Sequence, residues 1–159
     1  MKVIVTGSFD PITVGHIDVI KQISDKYDEI YVVALINEKK SYMFTMEQKK
    51  RLMEISLMDF PNVIVDAYDS LTADYMHKHG IFTIIRGIRN DDDLLYEKEL
   101  AAKMNDFDGN FETVIVKCKE QYAQISSTMV RERILNKSSL NGLVDPRAEK
   151  EIYQMLATK

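Results

Sequence analysis

The chain has 159 residues, with 21 Lys and Arg against 25 Asp and Glu and a net charge of -4. This length predicts a single domain over residues 1–159, able to bury about 70% of its unfolded surface without disulfides. The acidic balance argues against a broad nucleic-acid surface, which needs excess positive charge, but not against a small local anion site.

Residues 2–6 are the first run of β-branched apolar residues and predict a strand. Ile17, Ile20 and Ile23 then recur at helical spacing behind Gly15. A second strand is expected over 29–36. Thr45 and Gln48 form a capping-box pair for a helix that turns Leu52 and Ile55 inward. A third strand, 63–67, is interrupted only by Asp66. Asp69 or Ser70 is expected to cap the next helix, with Leu71 and Tyr75 inward. A fourth strand is expected over 81–85. Asn90 followed by Asp91, Asp92 and Asp93 places carboxylates at the positive end of a fourth helix, with Leu94, Ala101 and Met104 toward the core. Residues 113–117 give a fifth strand, and 126–135 a fifth helix. Asp145-Pro146 is an N-cap and first-turn pair for a last helix ending near Leu156.

The alternation predicts an α/β fold: a doubly wound, five-stranded parallel sheet, Rossmann-like and of the dinucleotide-binding type, with helices on both faces. Ligands in such sheets bind beyond the C-terminal strand ends, where the strand order switches. No apolar run is long enough to span a membrane. The first residues are too short an apolar stretch for a signal peptide. Cys118 is the only cysteine, which fits a reducing, cytoplasmic setting.

The first β–α junction carries the most chemistry. Gly7 lets backbone approach a ligand closely. Gly15-His16 opens a helix whose free N–H groups and dipole favour phosphate, with His16 pointing a donor into that site. Arg86 directly follows the fourth apolar run, where ligand sites gather. Ser126, Ser127 and Thr128 serve as a helix cap and, equally, as an anion site. Lys39-Lys40 by itself reads as a solvated pair, His77 and His79 as a helix end beside Gly80, and Cys118 as a small late-strand residue.

Gly7-Ser8-Phe9-Asp10-Pro11 followed by Thr13-Val14-Gly15-His16 resembles the signature of the nucleotidyltransferase superfamily, usually His-x-Gly-His. Thr13 at the first histidine position is similar to one branch, the bacterial phosphopantetheine adenylyltransferases. Lys39-Lys40 with Met43-Phe44-Thr45, Ile85-Arg86-Gly87-Ile88-Arg89, Tyr96-Glu97, and Ile125-Ser126-Ser127-Thr128 with Arg131 resemble that family's further motifs, in its order, from about Val3 to Leu143. The chain departs from the pattern at Thr6 and Glu38, where proline is common, at Ser41-Tyr42, and in the more acidic segment 90–95.

The resemblance implies transfer of the adenylyl group of ATP to 4′-phosphopantetheine, giving dephospho-coenzyme A and pyrophosphate. It implies His16, Lys40 and Arg86 as the catalytic set, with His16 stabilising the transition state. ATP would be held by Ser8, Phe9, His16, Gly87, Ile88, Arg89, Glu97, Tyr122, Ala123, Gln124, Ile125, Ser126, Ser127 and Thr128. The acceptor would be held by Ser8, Lys40, Thr72 and Arg86. Mg²⁺ accompanies ATP without a protein cage, and the assembly implied is a homohexamer with exposed methionines and tyrosines as contact material. On this reading the positive charges that matter are Lys40, Arg86, Arg89 and, when protonated, His16. Other acceptors, nicotinamide mononucleotide or glycerol 3-phosphate, belong to branches that carry histidine at the place of Thr13. A nucleotide-sensing module without turnover need not keep the whole catalytic set.

Overall fold

The computed structural model describes residues 1–37, 40–107 and 110–157. Five strands, β1 (Lys2–Gly7), β2 (Glu29–Leu35), β3 (Val63–Tyr68), β4 (Thr83–Ile88) and β5 (Glu112–Lys117), form one sheet in the order β3-β2-β1-β4-β5. All pairings are parallel. The helices are α1 (Val14–Ile23), α2 (Met46–Ser56), α3 (Thr72–His79), α4 (Asp91–Phe107), α5 (Ser127–Leu135) and α6 (Pro146–Ala157), with a short 3₁₀ turn, Glu120–Tyr122, before α5. This is the doubly wound α/β arrangement expected from the sequence. The order reverses at β1, so the crevice beyond the C-terminal ends of β1 and β4 is the switch point.

Alternation along the strands distributes the core over both faces of the sheet. Val3, Val5, Val32 and Ala34 face one side, where Val19 and Ile20 of α1, Leu52 and Met53 of α2, Val130 of α5 and Ile152 of α6 are buried. Ile4, Tyr31, Val33 and Ile84 face the other, against Ala73, Tyr75 and Met76 of α3. The inner strands β1, β2 and β4 are largely buried, whereas β3 and β5 at the edges are mostly half-buried.

The helix starts follow local chemistry. The Thr45–Gln48 capping box forms, with donor–acceptor distances of 2.9 and 3.1 Å. Asn90 accepts from the backbone N–H of Asp93 at 2.9 Å, and Asp145 from that of Arg147 at 2.8 Å.

Several expectations need correction. Neither Asp69 nor Ser70 caps α3: Leu71 occupies the N-cap position, 63% exposed and without a side-chain bond, while Tyr75 is buried as expected. The fourth strand runs later than 81–85, because Arg86, Gly87 and Ile88 continue the ladder with Ile115, Val116 and Lys117. His79 is also less solvated than a bare helix end. Its ring stacks on Tyr75 at 4.0 Å, and Gly80 closes the helix at a φ of 65°.

Candidate active site

The β1–α1 junction folds back over the end of the sheet. Phe9 adopts a left-handed backbone with φ 46°, and its ring lies where a Cβ on Gly7 would come within 3.3 Å. Any larger residue at Gly7 would make the ring shift by a few tenths of an ångström. The same ring meets His16 edge-on, centroids 5.0 Å apart. Thr13 caps α1 in a reciprocal box: its hydroxyl accepts from the His16 backbone N–H, and its own N–H donates to His16 Nδ1 at 2.9 Å.

That bond fixes the chemistry of the imidazole. With Nδ1 accepting, the ring proton sits on Nε2 and the ring is neutral. Burial, and then the nearby Arg89 guanidinium, lower the His16 pKa to about 4. At neutral pH the side chain is therefore an uncharged donor, and the positive charge that it would carry when protonated is absent.

Asp10 ties this junction to the loop that carries Lys40. Its buried carboxylate accepts from the backbone N–H groups of Met43 and Phe44 at 2.9 and 3.0 Å. Arg131 Nη1 donates to the Asp10 carbonyl at 2.7 Å. Lys40 itself is exposed, its backbone N–H bonded to Asn37, and it lines neither of the two cavities described below. Lys39 lies outside the described residues. Behind the loop, the Lys49 ammonium is buried 3.3 Å over the Tyr42 ring and has no hydrogen-bond partner among the described residues. Burial lowers its pKa. Lys49→Met keeps the length and removes the desolvated amine. It is expected to stabilise the protein by about 1 kcal/mol, roughly 2–4 °C in Tm by calorimetry. A lower Tm would mean that attraction to Asp10 and the ring outweighs desolvation.

At the end of β4, Arg86 is gripped from two sides. Glu97, buried on α4, takes Nε and Nη2 in a bidentate pair at 2.7 and 2.9 Å. Thr6 at the end of β1 takes Nη1 on its hydroxyl at 2.6 Å. Beyond it, Gly87 faces α1 so closely that a Cβ would meet Val19 at 3.0 Å. Arg89 pairs with Asp93 at 3.4 Å.

Thr6, Arg86 and Glu97 separate two cavities. One, of about 340 Å³, is lined by Phe9, Thr13, Gly15 and His16 from the first junction, by Gly87, Ile88 and Arg89, by Cys118, and by Ile125, Ser126 and Ser127. The N-termini of α1 and α5 both open into it, each bringing free N–H groups and positive dipole ends. The second, of about 350 Å³, is more apolar and is lined by Thr72, Leu100, Ala101 and Met104.

The remaining expected residues fall around these spaces. Ala123 and Gln124 line a recess with Arg89 and Asn90, outside the first cavity. Tyr122 lies against Gly15. The Ser127 hydroxyl donates to the Pro11 carbonyl at 2.8 Å, docking α5 on the first junction. Thr128 is exposed and accepts from Arg131. Ser8 is half-buried and lines neither cavity. Burial raises the Cys118 pKa, so this thiol is no activated nucleophile. Sequence reasoning assigned no role to Thr6, to the Asp10 carboxylate or to Val19. The Thr6 departure from proline was the one available signal. Among the described residues, no three His, Cys, Asp or Glu side chains are placed to hold a metal, and no helix is long and apolar enough to cross a membrane.

Comparison with known proteins agrees with this geometry. Residues 4–133 match the cytidylyltransferase-like family. The chain is 34% identical over 157 residues to the phosphopantetheine adenylyltransferase of Symbiobacterium thermophilum, covering 99% of this chain and 97% of that one. It is 36% identical over 153 residues to the protein of that name from Staphylococcus carnosus, covering 96% and 95%. A crystal structure assigned as a nicotinate-nucleotide adenylyltransferase from Vibrio parahaemolyticus shares the fold, with a TM-score of 0.68 over 96% of this chain and 97% of that one at 18% identity. With the likeness running almost end to end, through both helix termini at the cavity and both walls of the switch crevice, the chain belongs to the cytidylyltransferase-like family and, within it, to the phosphopantetheine adenylyltransferases.

Proposed function

We propose that the protein, acting as one nucleotidyltransferase domain, transfers the adenylyl group of ATP to 4′-phosphopantetheine, forming dephospho-coenzyme A and pyrophosphate in coenzyme A biosynthesis. The observation that carries this reading is the pair of cavities meeting at Arg86: one flanked by two helix N-termini, the other apolar enough for an extended arm. An oxygen of the acceptor phosphate attacks the α-phosphorus of ATP, that bond forms, and the bond to the β-phosphate oxygen breaks as pyrophosphate leaves.

The acceptor phosphate is already a nucleophile, so the protein needs to position two polyanions and stabilise developing charge. His16 Nε2–H, the N-termini of α1 and α5, Ser127 and Thr128 serve the ATP phosphates. Phe9, Gly87, Ile88, Arg89, Tyr122, Ala123, Gln124, Ile125 and Ser126 border the nucleotide, with Glu97 acting through Arg86. Ser8, Lys40, Thr72 and Arg86 serve the acceptor. ATP enters as its magnesium complex. The cavity carboxylates, Glu97 and Asp93, are engaged by Arg86 and Arg89, so the ion's ligands are substrate phosphates and water. The resemblance supports a cytoplasmic homohexamer, with exposed Met58, Tyr96 and Tyr153 as contact material.

Purified protein incubated with ATP, Mg²⁺ and 4′-phosphopantetheine is expected to release pyrophosphate and dephospho-coenzyme A in equal amounts. Turnover with nicotinamide mononucleotide instead would overturn the assignment.

A further inference from the structure

Among the described residues Arg86 is the one cation shared by both cavities, and an arginine there is useful only if its orientation is fixed. Glu97 alone cannot fix it. A bidentate carboxylate holds the Nε and Nη2 edge, but it leaves Nη1 on the opposite side of the fork. The structure assigns that third anchor to Thr6, a residue with no role in the reading above.

Three observations carry the assignment. Thr6 Oγ1 accepts from Arg86 Nη1 at 2.6 Å, short for a hydrogen bond from a charged donor. The Thr6 carbonyl lies 3.4 Å from the same nitrogen, so hydroxyl and backbone converge on it. Thr6 is 8% exposed at the end of β1, which is paired on both edges, and it lines both cavities. Thr6 lies in the β1–β2 ladder opposite Val33, so it references the guanidinium to the sheet while Glu97 references it to α4. A proline at this position, common in the family the chain resembles, would offer the carbonyl but no hydroxyl.

Thr6 is therefore a positioning residue for Arg86, and its hydroxyl sets how well Arg86 receives the acceptor phosphate. This rests on the reading of Arg86 as an acceptor ligand.

The test compares wild type with Thr6→Val, which keeps the shape and removes the acceptor oxygen, and Thr6→Ser, which restores it. Thr6→Val is expected to raise the KM for 4′-phosphopantetheine about tenfold or more, the effect of one hydrogen bond to a charged group. The KM for ATP should stay within about twofold, and Thr6→Ser should lie near wild type. A second readout needs no substrate. The rate at which phenylglyoxal modifies Arg86, followed by peptide mass, should rise several-fold in Thr6→Val and not in Thr6→Ser. If wild type does not use this acceptor, the acceptor reading fails, and the modification rates still decide whether Thr6 anchors Arg86. Unchanged Arg86 reactivity in Thr6→Val, a Thr6→Ser protein that behaves like Thr6→Val, or equal losses toward both substrates in step with a lowered Tm would overturn the inference.

Discussion

His16→Ala is expected to lower kcat by about 100- to 1,000-fold, the usual cost of removing one donor aimed at developing charge, while the Kd for ATP changes by only a few-fold. The reason is electrostatic. A neutral Nε2–H held by the Thr13 box gains little from ground-state phosphates that are already well solvated. It gains more as charge grows on the α-phosphoryl oxygens. A matching loss in Kd and in kcat would mean uniform binding instead.

The pH dependence follows with a definite sign. A group with a pKa of about 4 in the folded free enzyme stays neutral from pH 6 to 8. The ratio of kcat/KM for ATP between wild type and His16→Ala should therefore be flat across that interval. An imidazolium donor would make it fall as pH rises. For stability the depressed pKa works against acid. Between the unfolded value near 6.5 and the folded value near 4, the unfolded chain takes up a proton that the folded one refuses. The contribution is intact above the first value and is lost as pH drops toward the second. Denaturant melts of wild type and His16→Gln from pH 7 to 4.5 should converge as pH falls.

Glu97→Ala should produce the largest loss of stability. It strands a mostly buried guanidinium whose carboxylate partner is 6% exposed. Breaking such a pair from one side costs about 3–5 kcal/mol when both charges are deep. Because Arg86 keeps Thr6 and some solvent access, about 2–3 kcal/mol is expected here, a fall of roughly 5–10 °C in Tm. The acceptor KM should rise at least tenfold as the arginine loses its orientation. The double variant Arg86→Met/Glu97→Met separates the two effects. Its stability should recover most of the loss, since no charge is left unpaired, while turnover falls further than in Glu97→Ala because Arg86 itself is gone. A Glu97→Ala protein as stable as wild type would show that Arg86 finds another partner.

What the sequence revealed and what it hid divide along physical lines. The Thr45–Gln48 box, the Asn90 and Asp145 caps and the alternation of β1 and β2 are local, and each was readable from neighbouring residues. Strand β4 was placed too early because Arg86 and Gly87 break the apolar run. Their place in the ladder is decided by β5, almost 30 residues on. Leu71 was misplaced because burial at a helix start depends on what the rest of the fold supplies there. The charge state of His16 stayed open for a related reason: the motif marks the residue, but the acceptor role of Nδ1 and the burial around the ring exist only once the loop has closed. The Asp10 bonds to Met43 and Phe44 span more than 30 positions, so no local pattern announces them.

The switch of strand order at β1 bears on how the chain becomes competent during synthesis. β1 pairs with β2 from the first third of the sequence, but Ile4 and Val5 also wait for Ile84 and Ile85. The cavity proposed for the nucleotide further needs Ser126 and Ser127. A growing chain can thus assemble half of the sheet while owning no functional half-site. Pairings of such long sequence separation form late, and nucleotide, which stabilises only what it binds, rewards the finished molecule alone. A ligand of that cavity therefore stabilises only the chain in which the start of α5 has docked onto the β1–α1 loop.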